Sequence, residues 1–291
     1  MLQEGTVVKA YGGHYYIASG REIFDCTLRG RFRREKKQVL VGDRVTFRLE
    51  ARGYGVIEEI HPRRTTLVRP PVANVDRALI VFAVKDPEPS TFLLDRFLTQ
   101  AEHAGVRPAI CFNKMDLGTE PVSNIIGAYR RAGYPVVCTS ALDGSGLDEL
   151  RVLLEGHITV FAGPSGVGKS SLLNALVPGL ELKTGEISRK LGRGRHTTRH
   201  VELLCLPGGG LVADTPGFSS LYLPEMKREE LGEYYPEFLT YRDGCRFTGC
   251  LHFQEPDCAV KKAVEAGEIA AFRYENYLRL LKEVMEMERR Y

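Results

Sequence analysis

At 291 residues the chain exceeds what one hydrophobic core ordinarily serves, so two or three domains are expected and we read three. With 43% hydrophobic and 26% charged residues the composition excludes a largely disordered chain, and a formal net charge of +3 singles out no partner. No apolar run approaches the roughly 18 residues of a membrane span, and the start MLQEGTVVKAYGG has neither a cationic lead nor an apolar core, which together predict a soluble cytoplasmic protein.

Residues 1–65 alternate apolar and polar positions in GTVVKAYGGHYYIASG, REIFDCTLRG, QVLVGDRVTFRLE and YGVIEEI, between glycine-bearing turns and without helical period. Short strands of this spacing predict a small antiparallel barrel. The stretch holds 13 Lys/Arg against 8 Asp/Glu, whereas residues 225–291 hold 11 against 14, so the basic surplus lies at the front. Its densest part is RGRFRREKK, where Arg29, Arg31, Arg33, Arg34, Lys36 and Lys37 surround Phe32. A cationic groove with stacking aromatics binds single-stranded nucleic acid, and Tyr11, Tyr15, Tyr16 and Phe24 are candidates for the platform. A solvated charge run beside core tyrosines is the other reading.

From about Val75 the texture changes to ALIVFAV, FLLDRFLTQAEHAG, RPAICFN, NIIGAYRRAG and PVVCTS, the strand and helix rhythm of a parallel sheet. Directly after RPAICF stand Asn113, Lys114, Met115 and Asp116. A carboxylate there accepts from both N1–H and the exocyclic amine of guanine, groups that adenine does not present together, so Asp116 is predicted to select the base. Asn113 is expected to brace the loop and Lys114 to pack along the ring. Ser140 and Ala141 follow PVVC, where a backbone N–H can meet the guanine carbonyl oxygen.

The segment SGLDELRVLLEG leads to the strand HITVFAG and then to a complete phosphate-binding loop: Gly163, Pro164, Ser165, Gly166, Val167, Gly168, Lys169 and Ser170. Its backbone N–H groups turn toward a phosphate chain, Lys169 neutralises β- and γ-phosphate charge, and Ser170 offers its hydroxyl to magnesium. After the helix KSSLLNAL comes KTGEISRKLGRGRHTTRH, a polar, glycine-containing and strongly basic candidate for the second nucleotide-sensing loop. Here Thr198 is read as a further magnesium-ordering hydroxyl, with Thr197 as the alternative, and His196 as the group that orients the attacking water. Contact with phosphate or RNA is the other reading for His196. The strands VELLCL and GLVAD then lead to Asp214, Thr215, Pro216 and Gly217. Asp214 leaves the carboxyl end of its strand toward magnesium, and the Gly217 N–H senses the γ-phosphate. Phe218 stands where many GTPases hold a water-orienting glutamine, which is why that work is assigned to His196.

The base-reading motif thus precedes the phosphate loop, the reverse of the usual order. Such a rotation is tolerated because ligand loops gather at one edge of the sheet, so the termini can move without dismantling the site. Beyond Pro224, helical patterns surround Cys245, Cys250, His252 and Cys258, three thiolates and an imidazole within 14 residues, enough to close a structural zinc site. The remaining cysteines are scattered, which suits metal binding in a reducing compartment. Ile269, Phe272, Leu280, Leu281 and Val284 fall near helical spacing and predict the buried face of a last helix.

Taken together, GPSGVGKSSLLNAL, RHTT, DTPGF, NKMD and the C-x4-C-x-H-x5-C knot resemble the RsgA/YjeQ family of bacterial small-subunit ribosome biogenesis GTPases, over nearly the whole chain. The resemblance implies a multi-domain α/β chain: an N-terminal OB-type barrel at 1–65, a central circularly permuted P-loop GTPase domain at 66–222, and a C-terminal helical zinc-binding domain at 223–291. It maps the phosphate loop onto Gly163 to Ser171, the base motif onto Asn113 to Asp116, the zinc ligands onto Cys245, Cys250, His252 and Cys258, and a histidine assisting hydrolysis onto His196. It also implies the partner, the small (30S) ribosomal subunit and its rRNA, bound late in maturation and stimulating hydrolysis. Leu142 departs from the lysine many GTPases carry after Ser-Ala. The expected function is hydrolysis of GTP to GDP and phosphate, with magnesium and one structural zinc, by an assembly factor released on hydrolysis. A monomer is expected, with no DNA or membrane partner. The alternative, kept open by Phe218, is a zinc- and RNA-binding module that uses GTP as a conformational clamp.

Overall fold

The alternating stretches at the front of the chain become five strands in the computed structural model: β1 (Leu2–Tyr11), β2 (His14–Ser19), β3 (Glu22–Leu28), β4 (Arg44–Leu49) and β5 (Gly55–Ile60). The structure describes residues 2–30, 38–50, 54–68, 71–118, 120–182, 201–214 and 223–289. The strands close a barrel in the order β1-β2-β3-β5-β4. All neighbours are antiparallel except β3 and β5, which run parallel. Five strands in a ring cannot alternate direction all the way round, so one parallel pair is forced, a consequence of closure that strand patterning does not reveal. Inside, Val7, Ile17, Cys26, Val45, Phe47 and Ile57 lose all contact with solvent. Val45 and Phe47 are two apart on β4, as the two-residue period of a strand requires.

Two compact units, each discontinuous in sequence, make up the chain. The first comprises Met1–Ala78, Leu147–Ala162 and Ser170–Gly217. Besides the barrel it holds a hairpin of β6 (Thr66–Val68) and β7 (Pro71–Ala73), which no pattern in the sequence announced. It also holds β11 (Ile158–Ala162), β12 (Leu203–Cys205) and β13 (Leu211–Asp214), with β13 parallel to β11 and antiparallel to β12. The helices α3 (Leu147–Leu154) and α4 (Lys169–Leu176) flank them in sequence. Lys9 of β1 forms an isolated bridge and a 3.0 Å ion pair with Glu202, just before β12.

The second unit comprises Leu79–Gly146, Gly163–Lys169 and Phe218–Tyr291. Its strands β8 (Arg77–Ala83), β9 (Arg107–Asn113) and β10 (Val136–Cys138) lie in the order β10-β9-β8, with β10 parallel to β9. After their first residue, β8 and β9 are buried at every position, as near-continuous apolar runs covered on both faces should be. Helices α1 (Thr91–His103) and α2 (Ser123–Arg131) alternate with these strands. The C-terminal part contributes α5 (Pro236–Leu239), α6 (Ala259–Glu265) and α7 (Ala271–Glu288), around Leu231, Tyr235, Phe238, Val260 and Tyr277.

The buried face of α7 corrects the sequence expectation in one respect. Leu280, Leu281 and Val284 are inside, but Ile269 precedes the helix, Phe272 is only half-buried, and the inward positions of the first turns belong to Arg273 and Asn276. Polar residues occupy them because α1 presents a buried carboxylate. Asp95 accepts from Tyr129 Oη at 2.6 Å and from Asn276 Nδ2 at 2.7 Å, and pairs with Arg273 Nη1. The guanidinium also donates to both oxygens of Glu237, at 2.7 and 3.0 Å. The rings of Tyr235, Tyr129 and Tyr134 lie 4.5, 5.2 and 5.5 Å from its carbon. Burial works against the Arg273 charge, but Asp95 and Glu237 outweigh it and hold its pKa well above the ordinary value. Removing one partner of such a pair leaves an uncompensated buried charge. Asp95→Ala is therefore expected to lower the unfolding free energy by about 3 kcal/mol, read from urea titration, and a loss under about 1 kcal/mol would show that the cluster contributes little.

Candidate guanine-nucleotide site and zinc centre

In the second unit, the phosphate loop and the base-reading segment meet at one side chain. Asn113 ends β9, is 1% exposed, and donates from Nδ2 to the Val167 carbonyl at 2.9 Å. Its Oδ1 accepts from Thr139 Oγ1 and from the Ala141 N–H, each at 3.2 Å. One buried amide thus ties together the phosphate loop, the NKMD segment and the Ser140–Ala141 segment. The loop needs its glycines because neighbours press on it. A Cβ on Gly163 (φ +130) would run into the Val81 carbonyl oxygen, and one on Gly168 (φ +94) into Asn113 Nδ2.

The charged groups are held ready by local bonds. Lys169 Nζ folds back on the carbonyls of Gly163 and Pro164 at 2.8 and 2.6 Å, an ammonium parked on the loop that a phosphate oxygen can take over. Lys114, in left-handed backbone at φ 65, donates from Nζ to the Asp86 carbonyl. Asp116 lies on an exposed turn, and its carboxylate accepts from Ser140 Oγ at 2.6 Å. The Ser140–Ala141 segment was read for a backbone N–H, yet the Ser140 N–H donates to the Ser145 carbonyl at 3.0 Å and the Ala141 N–H to Asn113 Oδ1, while the Ser140 hydroxyl holds the Asp116 carboxylate. A serine beside a loop motif carries no sign of this in sequence, because the bond spans 24 positions.

In the first unit, Ser170 is buried in the first turn of α4, and Asp214 closes β13, its backbone in register with Phe161 of β11. Ser165, Gly166 and Ser171 accompany these loops in the sequence positions already given. His196, Thr197, Thr198, Gly217 and Phe218 lie outside the described residues, as do Arg31, Arg33, Arg34, Lys36 and Lys37. Of the basic run, Arg29 is described, and it pairs with Glu58, which also accepts from Arg48 Nε at 3.3 Å. Phe24 and Tyr15 pack against the barrel core, Phe24 with its ring 5.3 Å from that of Phe47, while Tyr11 and Tyr54 stay largely exposed. Of the aromatics named as platform candidates, Phe24 and Tyr15 are thus half-buried against the barrel core.

The four zinc candidates converge, with every ligand atom within 4.8 Å of the others. Zn–S bonds of about 2.3 Å and a Zn–N bond of about 2.0 Å put tetrahedral edges near 3.8 and 3.5 Å. Cys245 Sγ lies 3.8 Å from Cys258 Sγ and 3.6 Å from His252 Nδ1, and His252 Nδ1 lies 3.3 Å from Cys258 Sγ. Donor set and spacing fit a four-coordinate zinc ion that leaves no position for substrate. Burial lowers the His252 pKa, favouring the neutral imidazole that a metal needs, and burial pushes the Cys250 thiol up to about 12. Binding zinc would displace that thiol proton. The knot is clamped onto α7, where Tyr274 Oη donates to the His252 carbonyl and Tyr277 Oη to the Leu251 carbonyl, both at 2.7 Å. Glu255 accepts from the N–H groups of Leu251 and Phe253, at 2.8 and 2.9 Å.

A guanine-reading loop braced to a phosphate loop that follows it in the chain, with a barrel ahead and a Cys3His cluster behind, defines a circularly permuted P-loop GTPase. The RsgA N-terminal domain matches residues 4–57, and the RsgA GTPase family matches residues 60–224. The chain is 52% identical over 294 residues to the small ribosomal subunit biogenesis GTPase RsgA of Geobacillus sp. (strain WCH70), covering 100% of both. It is 52% identical over 286 residues to the protein of the same name from Moorella thermoacetica, covering 98% of this chain and 99% of that one. Among solved structures it resembles YjeQ from Thermotoga maritima, with TM-score 0.85, 40% identity and coverage of 98% and 99%. It also resembles YloQ, a circularly permuted GTPase, with TM-score 0.83, 40% identity and coverage of 99% and 96%. The chain belongs to the RsgA GTPase family and is a GTP-hydrolysing enzyme. Among the described residues no helix is long and apolar enough to cross a membrane.

Two measurements address these sites. Asp116→Asn replaces an acceptor by an amide donor facing the 2-amino group, so GTP affinity should fall at least about 100-fold while xanthosine triphosphate, with a carbonyl there, binds better than to wild type. Equal GTP affinity in a competition titration would remove Asp116 from base recognition. Cys250→Ser should retain less than about half an equivalent of zinc after desalting, against about one in the wild type, and should melt at a lower temperature. Acidification should release the metal, since protons compete for thiolates and imidazole alike.

Proposed function

We propose that this chain hydrolyses GTP to GDP and phosphate as a late assembly factor of the small (30S) ribosomal subunit, that the subunit stimulates the reaction, and that hydrolysis releases the protein. The observation that carries the nucleotide reading is the Asn113 amide, which binds the base-reading segment to the phosphate loop. The partner is supported by the names of relatives that match the full chain at about half identity.

In this reading Asp116 takes the guanine edge, with Lys114, Met115, Ser140 and Ala141 around the base. The loop from Gly163 to Ser171 wraps the phosphates, and Lys169 moves from the carbonyls of Gly163 and Pro164 to the β- and γ-oxygens. Ser170, Thr198 and Asp214 would hold the magnesium that accompanies the nucleotide, which would offset phosphate charge, and the Gly217 N–H would sense the γ-phosphate. Phe218 has no hydrogen-bonding group, so His196 orients the attacking water. The domains proposed are an OB barrel at 1–65, a GTPase domain at 66–222 and a zinc domain at 223–291. One structural zinc is held by Cys245, Cys250, His252 and Cys258. The cationic run Arg29, Arg31, Arg33, Arg34, Lys36 and Lys37 meets rRNA. The protein works in the cytoplasm as a monomer, without a DNA partner. A clamp without turnover is disfavoured by membership in a GTPase family.

Turnover with and without purified small subunits tests this directly. Stimulation of at least about tenfold is expected, and His196→Ala should cost about 100-fold of the stimulated rate while leaving GTP binding intact. A wild-type stimulated rate in His196→Ala would remove that residue from the chemistry, and no stimulation by subunits would overturn the assembly-factor reading.

A further inference from the structure

The segment Lys85 to Pro89, between β8 and α1, carries none of the nucleotide motifs and is largely exposed, yet it bonds the NKMD loop and faces the phosphate loop. It leaves β8 at Val84, whose N–H donates to the Asn113 carbonyl at 3.0 Å. The Asp86 carbonyl then receives the Lys114 ammonium. A methyl group placed on Gly166 would meet Pro87 Cδ at 3.7 Å, so the pyrrolidine ring faces the middle of the phosphate loop across the space of one methyl group. At its far end the segment enters a capped helix, with Ser90 Oγ accepting from the Leu93 N–H at 3.3 Å. A buried strand and a capped helix therefore hold this short segment at its two ends, beside both loops.

We propose that Lys85 to Pro89 forms a third wall of the guanine-nucleotide site, in which the Asp86 carbonyl and the Pro87 ring are positioning groups that set how long GDP and GTP remain bound. The inference rests on the nucleotide reading given above. Lys114 is the side chain assigned to lie along the purine, and an ammonium already anchored on a fixed carbonyl loses less freedom when the base arrives. Gly166 sits at φ +84 in the stretch of backbone that curls around the phosphates, and Pro87 limits its retreat. Neither contact involves a γ-phosphate, so GDP and GTP should be affected alike. Their effect belongs to binding, and thus to KM rather than kcat.

Stopped-flow release of fluorescent GDP and GTP analogues from the full-length protein tests this. Pro87→Gly should speed release of both nucleotides about tenfold and raise KM in proportion, with kcat within about twofold of wild type, since affinity changes of this kind appear mainly in dissociation. In a Lys114→Met background, where Asp86 has lost its partner and only the approach of Pro87 to Gly166 remains to be removed, the same substitution should speed release by less than it does in the wild type. Pro87→Ala, which keeps a Cβ, should give an intermediate increase and serves if Pro87→Gly lowers the melting temperature. Wild-type release from both Pro87 variants would overturn the proposal, as would an equal effect with and without Lys114 or a loss confined to kcat. If the wild-type protein itself binds no GDP, the nucleotide reading fails and this inference with it, whereas wild-type binding with unchanged release from the Pro87 variants sinks this inference alone.

Discussion

The side-chain amide of Asn113 is the constraint on which the nucleotide site depends. In this chain the base-reading strand comes some fifty residues before the phosphate loop, and 54 positions separate the two ends of the Asn113–Val167 bond. Covalent order cannot keep the loops together, so a buried amide bonded through both its nitrogen and its oxygen does. Its donor goes to the phosphate loop, and its acceptor serves Thr139 and Ala141. Burying the amide is tolerable because its oxygen and nitrogen both find partners; losing one would leave the other side desolvated without return. Rotation of the motif order is harmless here because the bonds that make the site never followed the order of the chain.

A comparable economy attaches the C-terminal part of the second unit. The segment around the cysteines is short and loop-rich, so its shape draws on side chains packed against the cluster of Tyr235, Phe238 and Tyr277 and on α7. Helix α7 does two things along its length. Tyr274 and Tyr277 hold the cysteine knot by its carbonyls, and Arg273 and Asn276, on the inward-facing side, bind Asp95 of α1. An ion pair buried this deeply is weak as a source of stability against a hydrophobic alternative, but it fixes one arrangement, since any slip of α7 strands a charge. Helix α1 begins beside the segment that supports Lys114 and Gly166, so one short helix separates the nucleotide loops from the clamp on the zinc knot.

Much of this was legible in the sequence. The strands at RPAICFN and the helix at KSSLLNAL emerge at the residues where apolar pattern and phosphate-loop chemistry place them, because both are local properties: a run buried on two faces, and a loop that must end in a helix amino terminus. The four zinc candidates were legible for the same reason, their spacing being short enough that the chain itself brings them near. The parallel β3–β5 pair, the hairpin of β6 and β7, and the polar inner turns of α7 were not, because each depends on what lies opposite. Ring closure decides the first, and a carboxylate on a distant helix decides the last. Tyr15 and Phe24 show the same limit, since an aromatic in an alternating strand is equally suited to core and surface until the barrel closes.

By itself the sequence determined the chemistry available to this protein: a carboxylate able to tell guanine from adenine, a lysine and glycines suited to phosphate, and thiols and an imidazole that fit zinc. Those are properties of residue type and short spacing. Tertiary structure alone decided which groups hold the chemistry in place, namely the Ser140 hydroxyl on Asp116, the Asp86 carbonyl on Lys114, the Pro87 ring against Gly166, and Asp95 on Arg273. Each of these pairs lies more than twenty positions apart and uses common residues or plain backbone, so nothing in the sequence marks them until folding puts one against the other.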